Sequence, residues 1–227
     1  MSVRVFAPVE ATGSFSLDPE ESHYLVRVRR ARSGDRVEVL HPDGGGWSAT
    51  VEDAHPKAAR VHVTGALPPR SPYPIDLVVG LPDAKAAYDV VARATETGAQ
   101  SLRFVHTARS QPANLNPTRL GRVVRAAQRQ CGRLVAPILH ATEDLPAWLE
   151  RSPTGFLAAL AHPERAASGP SASPFSVLIG PEGGLTTAEE RSGLDAGLQP
   201  LRLGPFVLRT EVAVVAALMA TGGLLRD

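Results

Sequence analysis

Two glycine-bearing segments near the C-terminus hold the residue types best suited to chemistry. The first is Val177-Leu178-Ile179-Gly180-Pro181-Glu182-Gly183-Gly184-Leu185, the second Leu201-Arg202-Leu203-Gly204-Pro205-Phe206-Val207-Leu208-Arg209-Thr210-Glu211. Each follows a short apolar, strand-like run and opens into a helical pattern. A strand-to-helix turn of this kind leaves backbone N–H and C=O groups free to grip a ligand. Glycines at 180, 183 and 184 permit positive φ and close backbone approach, and Pro181 stiffens the loop. Thr186 or Thr187 can then cap a helix, with Glu189 or Glu190 as its capping-box partner. No Lys-Ser/Thr pair follows the glycines, which excludes a P-loop, and the Gly-x-Gly-x-x-Gly spacing is missing. Taken alone, these glycines also describe a plain tight turn. The second segment, with Arg209 and Glu211 beside its own glycine, shifts the reading to one pocket built from neighbouring loops.

Other chemistries find little support. The seven His are scattered, the single Cys131 has no partner, and no Gly-x-Ser-x-Gly elbow occurs, so neither a metal site nor a redox centre is expected. Cys131 reads as a small buried apolar residue. With 43% hydrophobic and 21% charged residues the composition is that of a globular protein. No long apolar run or leader-like start is present, and the expectation is a cytoplasmic protein without a membrane partner.

The elements that must position the two turns fall into two regions. Residues 1–64 read as short strands at Val3–Ala7, Asp35–His41, Trp47–Glu52 and Arg60–Thr64, with one helix over Pro19–Ala31. A compact β-barrel closes such a set without long exposed edges. Residues 65–74, rich in proline, read as a stiff linker. Beyond it the pattern alternates: strand Ile75–Gly80, helix Lys85–Thr97, strand Leu102–Val105, helix Pro117–Gly132, then strands at Ile138–His140, Phe156–Leu160, Val177–Ile179 and Leu201–Leu203. Alternation predicts an α/β domain with a parallel sheet covered by helices. The last helix, Val212–Leu225, is apolar nearly all round and belongs in a core or a subunit interface.

Net charge is only +1, but it is unevenly spread. From Thr97 through Thr142 there is no acidic residue, while Arg103, Arg109, Arg119, Arg122, Arg125, Arg129 and Arg133 all fall there. The last five share one face of a helix. A solvated outer face accounts for most charged stripes. A single-sign stripe without acidic i,i+4 partners repels itself, however, and a polyanion relieves that cost. A second basic cluster comprises Arg27, Arg29, Arg30, Arg32 and Arg36. Two basic surfaces fit a folded RNA gripped by its backbone, with a salt slope on the order of −0.9 per duplex phosphate contact.

The paired motif Leu-Ile-Gly-Pro-Glu-Gly-Gly and Leu-Gly-Pro-x-Val-Leu-Arg-Thr-Glu resembles the signature of the 16S ribosomal RNA uridine N3-methyltransferases of the SPOUT superfamily. The resemblance extends to His23-Tyr24-Leu25-Val26-Arg27-Val28-Arg29-Arg30, Ala94-Thr95-Glu96-Thr97-Gly98 and Gln130-Cys131-Gly132-Arg133. It departs from the family pattern at Arg29, Arg93, Thr97, Arg129 and Val212-Ala213. The resemblance implies a PUA-like β-barrel over 1–68 and a SPOUT methyltransferase domain over 74–227, with a deep trefoil knot at 155–227. It implies a homodimer that binds S-adenosylmethionine and acts on 16S ribosomal RNA or the small ribosomal subunit. Cofactor contacts are expected from Leu81, His162, Ile179, Gly180, Pro181, Glu182, Gly183, Gly184, Leu203, Gly204, Val207, Leu208 and Thr210. RNA contacts are expected from His23, Arg27, Arg30, Arg109, Arg129 and Arg133. Arg209 is the candidate stabiliser of charge on a uracil anion. Glu211 can accept its proton, orient Arg209, or merely complement a helix dipole. Two alternatives stay open: an RNA-binding ribosome-assembly factor with a relict cofactor knot, and a methyltransferase acting on transfer RNA.

Overall fold

The computed structural model describes residues 2–158 and 174–223. The chain divides into two compact units, one holding the residues through Ser71 together with Gln128–Ala136, the other Pro72–Ala127 and the residues from Pro137 onward.

In the first unit β1 (Val3–Phe6), β2 (Gly13–Ser16), β3 (Arg36–Leu40), β4 (Gly46–Asp53) and β5 (Arg60–Ala66) form one sheet in the order β1-β3-β4-β5-β2. β1 and β3 run parallel and the other neighbours antiparallel. Alternation is clean in β5, where Val61 and Val63 are buried and Arg60, His62 and Thr64 exposed. Among the described residues β1 and β2 do not pair with each other, so the hydrogen-bonded ladder is open at both edges. β2 lies outside the expected strands because Gly-Ser-Phe-Ser offers a single large apolar residue.

The helix expected over 19–31 is shorter and irregular. Asp18 caps α1 (Pro19–His23), its Oδ1 accepting the Glu21 N–H at 2.8 Å. A π-helical turn over Tyr24–Val28 follows, and Arg30 then takes φ 58°. A wide turn and a left-handed residue end the helix where periodicity alone reads it onward.

The second unit is α/β. β6 (Tyr73–Gly80), β7 (Ala99–His106), β8 (Ile138–Leu139), β9 (Glu143–Asp144), β10 (Gly155–Ala158), β11 (Phe175–Ile179) and β12 (Leu198–Leu201) form a parallel sheet. Its order is β12-β10-β11-β6-β7-β8, with β9 also beside β7. α2 (Ala84–Thr97), α3 (Pro117–Cys131) and α6 (Thr210–Gly223) contribute to a core that includes Ile75, Leu77, Phe156, Phe175 and Leu218. A separate cluster gathers Val78, Leu157 and Leu178 with Trp148 of α4 (Leu145–Leu149), and α5 (Thr187–Asp195) contributes Leu194 to it. Successive sheet residues such as Leu77 and Val78 enter different clusters, so both faces of the sheet are covered, as a run of apolar parallel strands requires. β12 ends at Leu201, two residues before the expected limit. The final helix begins at Thr210 rather than Val212, burying Ala213, Val214, Ala217 and Leu218.

Candidate functional site

Beyond the C-terminal ends of β10, β11 and β12 lies a cavity of about 230 Å³. This is the end of an open parallel sheet where ligands bind. One wall is Ile179-Gly180-Pro181-Glu182 with Gly184 and Leu185; the other is Leu201, Leu203, Gly204, Phe206, Val207, Leu208 and Thr210. Ala158, Glu190 and Ala213 complete the lining. Both glycine turns thus face one space.

Local chemistry fixes the first wall. Gly184 adopts φ +70° and its N–H donates to Pro181 O at 2.8 Å. A Cβ on Gly180 would lie 2.9 Å from Leu185 N, so the loop doubles back on a glycine. Thr186 and Glu189 form the capping box of α5: Glu189 N–H donates to Thr186 Oγ1 at 3.2 Å and Thr186 N–H to Glu189 Oε2 at 2.8 Å. Burial pushes the Glu189 carboxyl up, but the N–H groups of Thr186 and Ala108 outweigh it and hold the group below the usual carboxylate value. Glu182 Oε1 accepts the Asp83 N–H at 3.2 Å, which ties this turn to the N-cap of α2.

Of the expected cofactor residues, Ile179, Gly180, Pro181, Glu182, Gly184, Leu203, Gly204, Val207, Leu208 and Thr210 line the cavity. Leu81 does not: it is 3% exposed in the core, its N–H bonded to Val105 O and its C=O to Gln111 N–H. Gly183 sits in the turn behind the lining, its carbonyl turned to Arg109. His162 lies outside the described residues. Ala158, Leu185, Glu190, Leu201, Phe206 and Ala213 are additional lining residues; the first helical turn after each loop was the legible signal for Glu190 and Ala213. Arg209 is exposed beside this wall, its carbonyl accepting from Val212 and Ala213 N–H, and Glu211 sits in the first turn of α6.

The expected RNA contacts separate into different environments. His23, Arg27 and Arg30 are exposed on the first unit, as are Arg29, Arg32 and Arg36. Arg119, Arg122 and Arg125 are exposed on α3. Arg129 is engaged within the first unit: it pairs with the buried Glu21 and lies over the rings of Tyr24 at 4.4 Å and Phe6 at 5.2 Å. Arg4 Nη1 donates to the carbonyls of Arg129 and Gln130, while its Nε pairs with Glu38. Arg133 is half-buried, donates to Val135 O, and burial lowers its guanidinium to about 10. Arg109 donates to the carbonyls of Gly183 and Leu185.

Arg129 therefore has a structural duty. Burial raises the Glu21 carboxyl above its ordinary value, with Arg129 and the Phe6 N–H pulling it down. Arg129→Met is expected to destabilise the protein by roughly 3 kcal/mol at neutral pH, because it leaves a buried carboxylate unpaired. The carboxyl rises further in the variant, so its deficit should shrink as acidification protonates Glu21. Urea melts at several pH values check both the size and the trend.

Among the described residues there is no group of three metal-ligating side chains and no helix long and apolar enough to cross a membrane. The chain matches the family described as RNA methyltransferase domain over residues 69–222, and that described as RNA methyltransferase PUA domain over 17–64. It is 31% identical over 94% of its length to the ribosomal RNA small subunit methyltransferase E of Mycobacterium bovis, covering 88% of that protein. With the protein of the same name from Synechocystis it shares 29% identity over 96% of this chain and 75% of the relative. A crystal structure of a ribosomal RNA small subunit methyltransferase E from Neisseria gonorrhoeae, bound to S-adenosyl methionine, superposes with TM-score 0.84 at 21% identity, covering 99% of this chain and 98% of that one. A family match over residues 69–222, more than half of the chain, joined to a relative 31% identical over 94% of it, establishes that the chain belongs to the RNA methyltransferase family.

Proposed function

We propose that this protein transfers a methyl group from S-adenosylmethionine to N3 of a uridine in the 16S ribosomal RNA of the small subunit. The observation that carries the reading is the single cavity lined by both glycine turns, which gives main-chain groups and aliphatic side chains for a cofactor to rest on. Its lining suits that cofactor: a Cβ on Gly204 would meet nothing within 4 Å, so a ligand can approach the backbone closely there, and the carboxylates of Glu182 and Glu190 favour a cation. The names of the Mycobacterium and Synechocystis relatives supply the substrate class.

When bound, S-adenosylmethionine supplies an electrophilic sulfonium methyl. The chain's own task is to hold the uracil in line and to make N3 nucleophilic by removing its proton. Arg209 is assigned to the oxygens that share the resulting negative charge, and Glu211 to the proton, directly or through water. Arg27, Arg30 and the exposed α3 arginines are assigned to phosphates.

The finer architecture belongs to the same proposal: a PUA-like barrel at the N-terminus, and a trefoil knot in the C-terminal segment supported by β10 lying between β11 and β12. A homodimer is supported by Phe206, Val207, Val212 and Met219, which are 77%, 77%, 46% and 53% exposed around the second turn and α6. Calorimetry with S-adenosylmethionine and mass mapping of ribosomal RNA nucleosides from cells lacking the protein test the function. Loss of one 3-methyluridine is the expected result; failure to bind the cofactor at millimolar concentration leaves only an RNA-binding factor.

Gly80→Ala is expected to weaken cofactor binding about tenfold or more without unfolding the protein. A Cβ there would stand 2.4 Å from Pro181 Cδ and 2.8 Å from Pro181 N, so the turn must move. Comparing the cofactor Kd with the melting temperature separates the local effect from a global one.

A further inference from the structure

Arg109 sits on the loop after β7, outside the cavity lining, and its expected role was to contact RNA. Its bonds indicate a different one. Nη1 donates to Gly183 O at 2.7 Å and to Leu185 O at 3.3 Å, while its aliphatic stem packs beside Gly183, where an added Cβ would lie 3.2 Å from Arg109 Cβ. The neighbouring Ala108 N–H donates to Glu189 Oε1 at 2.7 Å.

These contacts hold two peptide planes at both ends. The Gly183–Gly184 peptide is fixed by Arg109 on its carbonyl and by Pro181 O on its N–H. The Leu185–Thr186 peptide is fixed by Arg109 on its carbonyl and by Glu189 on its N–H. Between them lies the Gly184–Leu185 peptide, whose two residues line the cavity and whose C=O and N–H have no protein partner among the described residues. Fixing both neighbours orients the middle peptide before a ligand arrives, which lowers the ordering cost of binding.

The geometry points to Arg109 as a positioning residue that presets the Gly184–Leu185 peptide for the cofactor, an inference that rests on the methyltransferase reading of the cavity. The bonds are charge-assisted, and losing them removes the orientation without removing any atom of the cavity wall.

The test compares wild type with Arg109→Met and Arg109→Lys. In ligand-free protein, hydrogen exchange at Gly184 and Thr186 should quicken about tenfold in Arg109→Met and by less in Arg109→Lys, which keeps the cation. Cofactor Kd should weaken about tenfold in the Met variant, with partial recovery in Lys. The salt slope for binding a ribosomal RNA fragment should stay at the wild-type value. Unchanged exchange and cofactor affinity, with a salt slope smaller by about 0.9, would make Arg109 a phosphate contact and overturn the proposal. If Arg109→Met does not fold, the same measurements on Arg109→Lys decide. A wild-type protein that binds no cofactor sinks the methyltransferase reading, whereas the exchange measurement still decides whether Arg109 holds the turn.

Discussion

Gly155→Ala is expected to cost roughly 3 kcal/mol or more, lowering the melting temperature of the protein by about 6–12 °C. Gly155 opens β10 with φ +138°, a backbone conformation that side chains rarely adopt. A Cβ at that position would lie 1.9 Å from the carbonyl oxygen of Ser176, its register partner on β11, and 2.8 Å from Ser176 N. The obstacle is backbone, so no rotamer change relieves it. Nor can β11 retreat easily, because it also pairs with β6 and its Ser176 N–H donates to Thr154 O at 2.8 Å. β10 is held between β11 and β12, and its last described residue, Ala158, lines the cavity. Displacing the start of β10 should therefore weaken cofactor binding as well as stability. Thermal unfolding followed by circular dichroism checks the first effect and calorimetry the second. A loss below 1 kcal/mol would contradict the β10–β11 register.

What was legible in the sequence was governed by local rules. The Thr186–Glu189 capping box needs only side chains and backbone three residues apart, and it forms as the spacing indicates. Alternation of apolar strands with helical patterns likewise gave the parallel sheet, since parallel neighbours require crossovers. The misses required knowledge of distant partners. Leu81 follows β6 at a plausible position for a wall, but β7 takes its N–H and the Gln111 loop its C=O, which draws it into the core. The α3 arginines share a helical face by period, yet period does not reveal that Glu21, Tyr24 and Phe6 await Arg129 while Arg119, Arg122 and Arg125 stay exposed. Glu21 lies 108 positions away from Arg129 in sequence, beyond the reach of any window. β9 is two residues long and pairs with β7 alone among the described residues, so no pattern announces it.

Arg209→Ala is expected to reduce kcat by about 10²–10³ while leaving the cofactor Kd within about twofold. The backbone of Arg209 caps α6, its carbonyl accepting from Val212 at 3.0 Å and from Ala213 at 2.8 Å, so truncating the side chain leaves that start of the helix in place. The side chain itself is exposed next to Leu208 and Thr210, which line the cavity, and it has no hydrogen-bond partner among the described residues. A guanidinium so placed has its donors free for a substrate. Uracil N3 carries a proton at neutral pH, and its loss spreads negative charge onto the adjacent carbonyl oxygens. Stabilising that charge is the work assigned to Arg209, and it favours the transition state over the bound ground state. The variant should consequently recover rate as pH rises, because base in solution then supplies the anion that Arg209 no longer stabilises. Arg209→Lys should retain part of the activity through its charge but lose the planar fork. Glu211→Gln divides the remaining possibilities: a proton acceptor loses the acid limb of the pH–rate profile with its carboxylate, whereas a residue that only complements the α6 dipole changes stability by less than about 1 kcal/mol and leaves the profile intact. Equal losses in cofactor affinity and kcat for Arg209→Ala would instead place Arg209 in the cofactor wall.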